Sequence, residues 1–292
     1  MAIEKVGVVG AGLMGSGIAE VSAKAGCDVV VREINDDALA AGKARIQKSL
    51  DRAVSKGKLD ETGRDEILGR IRFTTSLDDL ADRDLIIEAI VESIEAKNEL
   101  FGYLDKVAGP GTIFASNTSS LTVTDMAAAT ERADRFVGLH FFNPVPVMQL
   151  VEVVRTIVTS QDTFDAAFSF AESLGKVPIA AKDNSGFVVN LLLVPYMLDA
   201  IRQLERGVAS IEDIDKGMTL GCGYPMGPFT LGDFVGLDTL AKIADIMYGE
   251  YHEERYASPP LLKRLISMGR FGRKSGAGFY DWTPDGPVPL EL

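Results

Sequence analysis

His140 and Glu152 are the side chains of this 292-residue chain best suited to exchanging a proton near neutral pH. His140, one of only two histidines, stands in the segment Gly138–Val153, GLHFFNPVPVMQLVEV, an apolar stretch punctuated by prolines. Further along the same segment Glu152 interrupts the apolar run Leu150, Val151, Val153, Val154. A carboxylate in such a run is costly to bury without a partner. An imidazole is a natural one, because the carboxylate fixes its tautomer and stabilises its cation. Such a pair suits proton exchange with a hydroxyl or carbonyl group. The alternative is a core histidine bonded to backbone, with Glu152 on an exposed strand edge. Spacing alone does not separate the two.

The elements that must position these residues alternate between short apolar strands and helical stretches. Strands are expected at Lys5–Val9, Asp28–Arg32, Ile71–Thr74, Asp84–Glu88, Thr112–Ala115 and Phe136–Leu139, with helices between most of them. Leu150–Val154 and Lys176–Ala180 extend the set, separated by a helix near 161–174. That alternation predicts an α/β doubly wound, Rossmann-type sheet. After Asp183 the pattern changes. Asn184-Ser185-Gly186 marks a turn, followed by a long apolar helix over 186–206 in which Pro195 introduces a kink. Helices over 210–222, 227–248 and 259–268 complete an all-α C-terminal domain. The expected domains are 1–185, with a helical arm at about 36–70, and 186–292.

Gly10-Ala11-Gly12-Leu13-Met14-Gly15 follows the first strand and opens the first helix. In that context the G-x-G-x-x-G run predicts a dinucleotide site. Gly10 makes the turn, Gly12 admits a pyrophosphate, and Gly15 lets helix and strand pack closely. Leu13 and Met14 offer helix N-terminal N–H groups to the phosphates. Glu33, at the end of the second strand, can bind both ribose hydroxyls and repel a 2′-phosphate. NAD is therefore expected over NADP, with neighbouring Arg32 the one residue pulling the other way.

Ser116-Asn117-Thr118-Ser119-Ser120 lies just past a strand end, where ligands of doubly wound sheets bind. These residues either line a nicotinamide and substrate oxygen or cap the helix starting near Thr122. Asn190, in an apolar helix, is either a staple or a substrate ligand. Between Lys43 and Lys58 six basic residues (Lys43, Arg45, Lys48, Arg52, Lys56, Lys58) face one acid, Asp51, on a chain of net charge −12. A run of this kind is usually a solvated face, yet it also suits a ligand rich in phosphate. A second basic patch spans Lys263–Lys274.

The overall acidity argues against nucleic-acid or anionic-membrane partners. No apolar run approaches the roughly 20 residues of a membrane span. Cys27 and Cys222 are far apart and outside any metal-ligand spacing, so no metal is expected and a reducing cytoplasm fits. The surplus of apolar residues over Leu191–Leu198 points to self-association through the second domain or to a buried central helix.

With GAGLMGSGIA, EAIVE, SNTSSL, GLHFFNPVPVM, LVEV, GFVVN, GYPMGP and GRKSGAGFY in place, the chain resembles the short-chain L-3-hydroxyacyl-CoA dehydrogenases nearly end to end, especially the bacterial 3-hydroxybutyryl-CoA dehydrogenases. The resemblance implies a catalytic histidine at His140 with its glutamate at Glu152, and substrate contacts at Ser119 and Asn190. It implies cofactor contacts at the glycine loop, Glu33, Glu92, Lys97, Asn117 and Ser119, and coenzyme A contacts at Ser49 and Lys56. It further implies an acyl-CoA substrate, NAD, and a homodimer joined through the helical domain. Leu191 and Gln149 depart from the family pattern, each removing a positive charge. A dehydrogenase of free hydroxy acids and a non-catalytic NAD-binding protein are the rival readings; the basic arm opposes the first.

Overall fold

Eight strands form one sheet in the first part of the chain, in the order β3-β2-β1-β4-β5-β6-β7-β8. They are β1 Lys5–Val9, β2 Asp28–Arg32, β3 Ile71–Thr74, β4 Leu85–Glu88, β5 Ile113–Ser116, β6 Phe136–Phe141, β7 Leu150–Arg155 and β8 Val177–Lys182. The computed structural model describes residues 3–291. It separates into two compact units, the first ending at Phe187 and the second beginning at Val188.

The first six strands are parallel. Buried on both faces, they read as nearly unbroken apolar runs. Alternate residues feed two cores. Val6, Val8, Val29, Val31, Leu85 and Ile87 pack with helices α1 (Leu13–Lys24), α2 (Asp36–Ser55) and α3 (Glu61–Gly69). Val9, Val30, Ile86 and Phe114 pack with α4 (Ile94–Val107) and α5 (Val123–Ala127). A sequence shift of one residue would exchange these faces, so the pattern fixes the register.

The connection from β6 to β7, residues 142–149, is too short for the dozen or more residues of a parallel crossover. The chain therefore reverses, and β7 pairs antiparallel with β6. Helix α6 (Gln161–Ser173) then carries it to β8, which pairs parallel with β7. This single reversal sets the register His140 opposite Glu152.

The second unit contains α7 (Val189–Glu205), α8 (Ile211–Lys216) running into a π-helical turn at Gly217–Gly221, α9 (Pro228–Val235), α10 (Leu237–Tyr251) and α11 (Pro260–Ser267). Pro195 lies inside α7, which continues past it. The expected helix over 227–248 is two helices, because Gly236 sits at φ +97°, a conformation that ends a right-handed helix. A short hairpin, β9 (Tyr280–Thr283) with β10 (Gly286–Pro289), is added to the helices. It hangs on Asp233, whose carboxylate accepts the Phe279 and Tyr280 amides and the Trp282 indole N–H. Among the described residues, no helix is long and apolar enough to cross a membrane.

Candidate active site

The glycine loop is built for close backbone approach. Gly10 has φ +95°, and a Cβ there would lie 2.6 Å from the Ala89 carbonyl oxygen. A Cβ on Gly15 would lie only 1.8 Å from the Gly10 oxygen, so helix and loop pack in contact. At Gly12 a Cβ would meet nothing within 4 Å. Gly12 is thus small for the sake of what lies outside the protein. It is also the N-cap of α1, with no side chain bonded to the first-turn N–H groups. Leu13 is 63 % exposed there and Met14 is half-buried. An anion is the natural partner of such a helix end. These features fit a dinucleotide pyrophosphate.

A cleft of ≈ 1250 Å³ opens beside the loop, its lining including Gly10, Gly12, Glu33, Ile34, Ile90 and Val91. Glu33 faces it from just past β2, with its carboxylate accepting the Ala11 N–H at 2.6 Å and the Ile34 N–H at 3.0 Å. Arg32 points its guanidinium at the Thr75 carbonyl, 3.2 Å away.

At the ends of β4 and β5 lies a buried ionic network. Lys97, 1 % exposed, places its ammonium 2.7 Å from Glu88 and 3.0 Å from Glu92. Glu92 accepts the Thr118 hydroxyl at 2.5 Å and the Ser119 N–H at 3.1 Å. Burial pushes the Glu92 carboxyl up, but the Lys97 charge and these hydrogen bonds outweigh it and hold the group below its ordinary value. Asn117 accepts the Phe141 N–H at 2.9 Å, which ties the ledge to the residue after His140. Helix α5 is capped elsewhere: its Val123 and Thr124 amides go to Asp183. The polar ledge therefore does not serve as that helix's cap.

His140 and Glu152 meet as cross-strand neighbours, Nδ1 to Oε2 at 2.6 Å. Glu152 is fully buried and His140 is 6 % exposed. The rings of Phe142 and Phe187 lie 4.5 and 5.6 Å from the imidazole. The backbone-bonded histidine considered above is not what forms. With Glu152 ionised, Nδ1 carries the proton and Nε2 is left as the basic nitrogen. Both residues lie on the sheet face shared with Val154 and α4, towards the carboxyl end of β6.

On the arm, Gly42, Ile46 and Leu50 form the buried stripe of α2. Arg45 donates to the Ala11 carbonyl of the glycine loop. Lys43, Lys48 and Arg52 on α2, and Lys56 and Lys58 just past it, stand exposed. Ser49 is half-buried near Glu20 of α1, whose carboxyl is raised by burial. In the second unit Asn190 is 9 % exposed at the start of α7. The second basic patch is tied into its own unit: Arg270 pairs with Asp281, Lys274 with Asp238, and Arg273 lies over the Phe234 and Trp282 rings. Leu191 packs at the edge of that unit's core, and Gln149 is exposed.

Sequence reasoning missed Glu88, which accepts the Lys97 ammonium and the hydroxyl of the ledge residue Ser116. An acid at the end of an apolar strand carries no signal of its own, unlike Glu152 inside one; its burial and the Lys97 contact reveal it.

A doubly wound sheet with an uncapped glycine-entered helix, and a buried histidine–carboxylate pair towards its carboxyl edge, is the framework of a nicotinamide-dependent oxidoreductase. Residues 5–184 match the family model of the 3-hydroxyacyl-CoA dehydrogenase NAD binding domain, and residues 186–282 that of its C-terminal domain. The chain belongs to the 3-hydroxyacyl-CoA dehydrogenase family and is an NAD-dependent oxidoreductase. It is 54 % identical over 283 residues to a 3-hydroxybutyryl-CoA dehydrogenase of Mycobacterium tuberculosis, covering 96 % of this chain and 99 % of the relative. It is 51 % identical over 288 residues to the human mitochondrial hydroxyacyl-coenzyme A dehydrogenase, covering 96 % and 91 %. The crystal structure of (S)-3-hydroxybutyryl-CoA dehydrogenase from Ralstonia eutropha superposes with a TM-score of 0.93 at 44 % identity, covering 97 % of this chain and all of that one.

Proposed function

We propose that this enzyme interconverts (S)-3-hydroxybutyryl-CoA and acetoacetyl-CoA, with NAD preferred to NADP. The observation that carries the reading is the buried His140–Glu152 contact of 2.6 Å in the same sheet as the uncapped glycine loop. When bound, NAD supplies the hydride-accepting nicotinamide. The chain's own part is proton handling and orientation. Nε2 of His140 accepts the substrate hydroxyl proton, and Glu152 holds the ring and stabilises the imidazolium that results. In the reverse direction the imidazolium returns the proton to the C3 oxygen. Ser119, set by Glu92, orients that oxygen. Asn190 is assigned to the substrate on family membership. Ser49, Lys56 and their basic neighbours are assigned to coenzyme A, supported by the exposed positive face of α2. Gly10, Gly12, Leu13, Met14, Gly15, Glu33, Glu92, Lys97 and Asn117 are assigned to the cofactor side. The domain boundary near 185 and a cytoplasmic setting belong to the same reading.

The test is loss of NADH absorbance with acetoacetyl-CoA, with NADPH in parallel. Rapid loss with NADH is the expected outcome. Activity on free 3-hydroxybutyrate instead would overturn the acyl-CoA assignment. Glu33→Gln should narrow the NADH-over-NADPH preference in kcat/KM by about tenfold, about 1.4 kcal/mol. It removes the charge that repels a 2′-phosphate, while Arg32 stays at hand. An unchanged ratio would show that selection lies elsewhere.

We also propose a homodimer through the second unit. Leu192, Leu220 and Tyr224 there are 73 %, 84 % and 47 % exposed, a set of large apolar surfaces that self-association would cover. Light scattering at micromolar concentration should give twice the 31.4 kDa chain mass, and Leu220→Glu should shift it towards the monomer.

A further inference from the structure

We propose that Glu88 is a positioning residue for cofactor binding, acting through Lys97 and Glu92 on the ledge that carries Ser119; this rests on the crevice being the NAD site. Glu88 is fully buried at the carboxyl end of β4. That strand adjoins β1 at the point where the sheet order changes direction, the usual ligand crevice of such sheets. Both carboxylate oxygens are engaged. Oε1 accepts the Ile90 N–H and the Lys97 ammonium, each at 2.7 Å. Oε2 accepts the same ammonium at 2.8 Å and the Ser116 hydroxyl at 2.6 Å.

One ammonium thus serves two carboxylates, Glu88 fully buried and Glu92 32 % exposed. The division of that charge decides where Glu92 sits. Glu92 in turn gathers Thr118, the Ser119 amide and Ser120. The segment is also tied to β4 by bonds that Glu88→Gln leaves in place: Ser116 accepts the Thr118 N–H, and the Glu88 carbonyl accepts the Asn117 N–H. Lys97 is 1 % exposed, so its ammonium acts on a ligand through Glu92 rather than as a surface cation. Neutralising Glu88 would leave Lys97 paired with Glu92 alone. The carboxylate would be drawn inward, away from the ledge.

The test is Glu88→Gln, isosteric and uncharged, read by NADH binding through fluorescence titration alongside steady-state kinetics. NADH Kd should rise about tenfold, a coupling typical of side chains in one hydrogen-bonded network. The deciding measurement is a double-mutant cycle with Glu92→Gln. In that background Glu88→Gln should add less than about twofold to the NADH Kd, because its route of action is gone. A Kd unmoved by Glu88→Gln, or penalties that simply multiply, would reduce Glu88 to a fold-stabilising residue and overturn the proposal. Should Glu88→Gln not fold, Glu88→Asp, which keeps the charge but withdraws it from Lys97, takes its place in the cycle. It should raise the Kd about two- to threefold, again only while Glu92 is present. Wild-type protein that fails to bind NADH would refute the NAD-site reading itself, which the cycle alone does not address.

Discussion

Replacing His140 with alanine should lower kcat for acetoacetyl-CoA reduction by about 10²–10⁴-fold, the range expected for losing a general acid–base. NADH affinity should stay within about twofold of wild type, because the glycine loop, Glu33 and the ledge are left in place. The substitution opens a small space between Phe142 and Phe187 and leaves Glu152 buried opposite it. An unpaired buried carboxylate costs stability, so thermal melting should be recorded with the kinetics. Glu152→Gln separates the two effects. It keeps the shape of the pair but presents an amide to Nδ1, so its loss in kcat reports orientation and charge rather than a cavity. Near-normal turnover in His140→Ala, with folding confirmed, would sink the role assigned to the histidine.

Two alanine substitutions in the glycine loop should fail for opposite reasons. At Gly12 a methyl group meets no protein atom within 4 Å, so Gly12→Ala should melt like wild type. It would occupy the space that the pyrophosphate needs, and NADH affinity should fall about a hundredfold, about 2.7 kcal/mol. At Gly15 the methyl would sit 1.8 Å from the Gly10 oxygen. Helix α1 must then lift from the loop, and Gly15→Ala should cost about 1–3 kcal/mol of stability, as overpacking does. Denaturant unfolding and NADH titration on both variants check the contrast. A destabilised Gly12→Ala would mean that its small size serves the fold and not a ligand.

The alternation of apolar strands and helices made the sheet legible in the sequence, because parallel strands buried on both faces leave continuous hydrophobic runs. The glycine loop was legible for a similar reason: each glycine answers to a local steric demand. The second unit was less so. The break at Gly236 depends on a positive φ that a single glycine in a helical pattern does not announce. The hairpin at the C-terminus depends on Asp233, which lies far away in sequence. At the site, Glu152 stood out as an acid in an apolar run, but its pairing with His140 is a matter of register across a turn. Glu88 escaped notice because it sits at the end of its strand, where an acid is ordinary on a surface. Only its burial and its contact with Lys97 give it meaning. The charge of the basic arm was legible; that Arg45 turns back to the glycine loop was not.

The reversal between β6 and β7 separates two properties that evolution and engineering would otherwise have to change together. His140 and Glu152 are held opposite each other by the backbone ladder of the two strands. The loop between them is fastened independently: Lys176 donates to the Val145 and Met148 carbonyls, and Val145 is buried against Gly17. Pro146 and Val147 are exposed; Pro146 shares the Val145 contact at Gly17, and Val147 belongs to neither fastening. Val147 should therefore be exchangeable without shifting His140 against Glu152. The catalytic register and the loop's anchorage are thus separate structural features, so a change in one need not disturb the other.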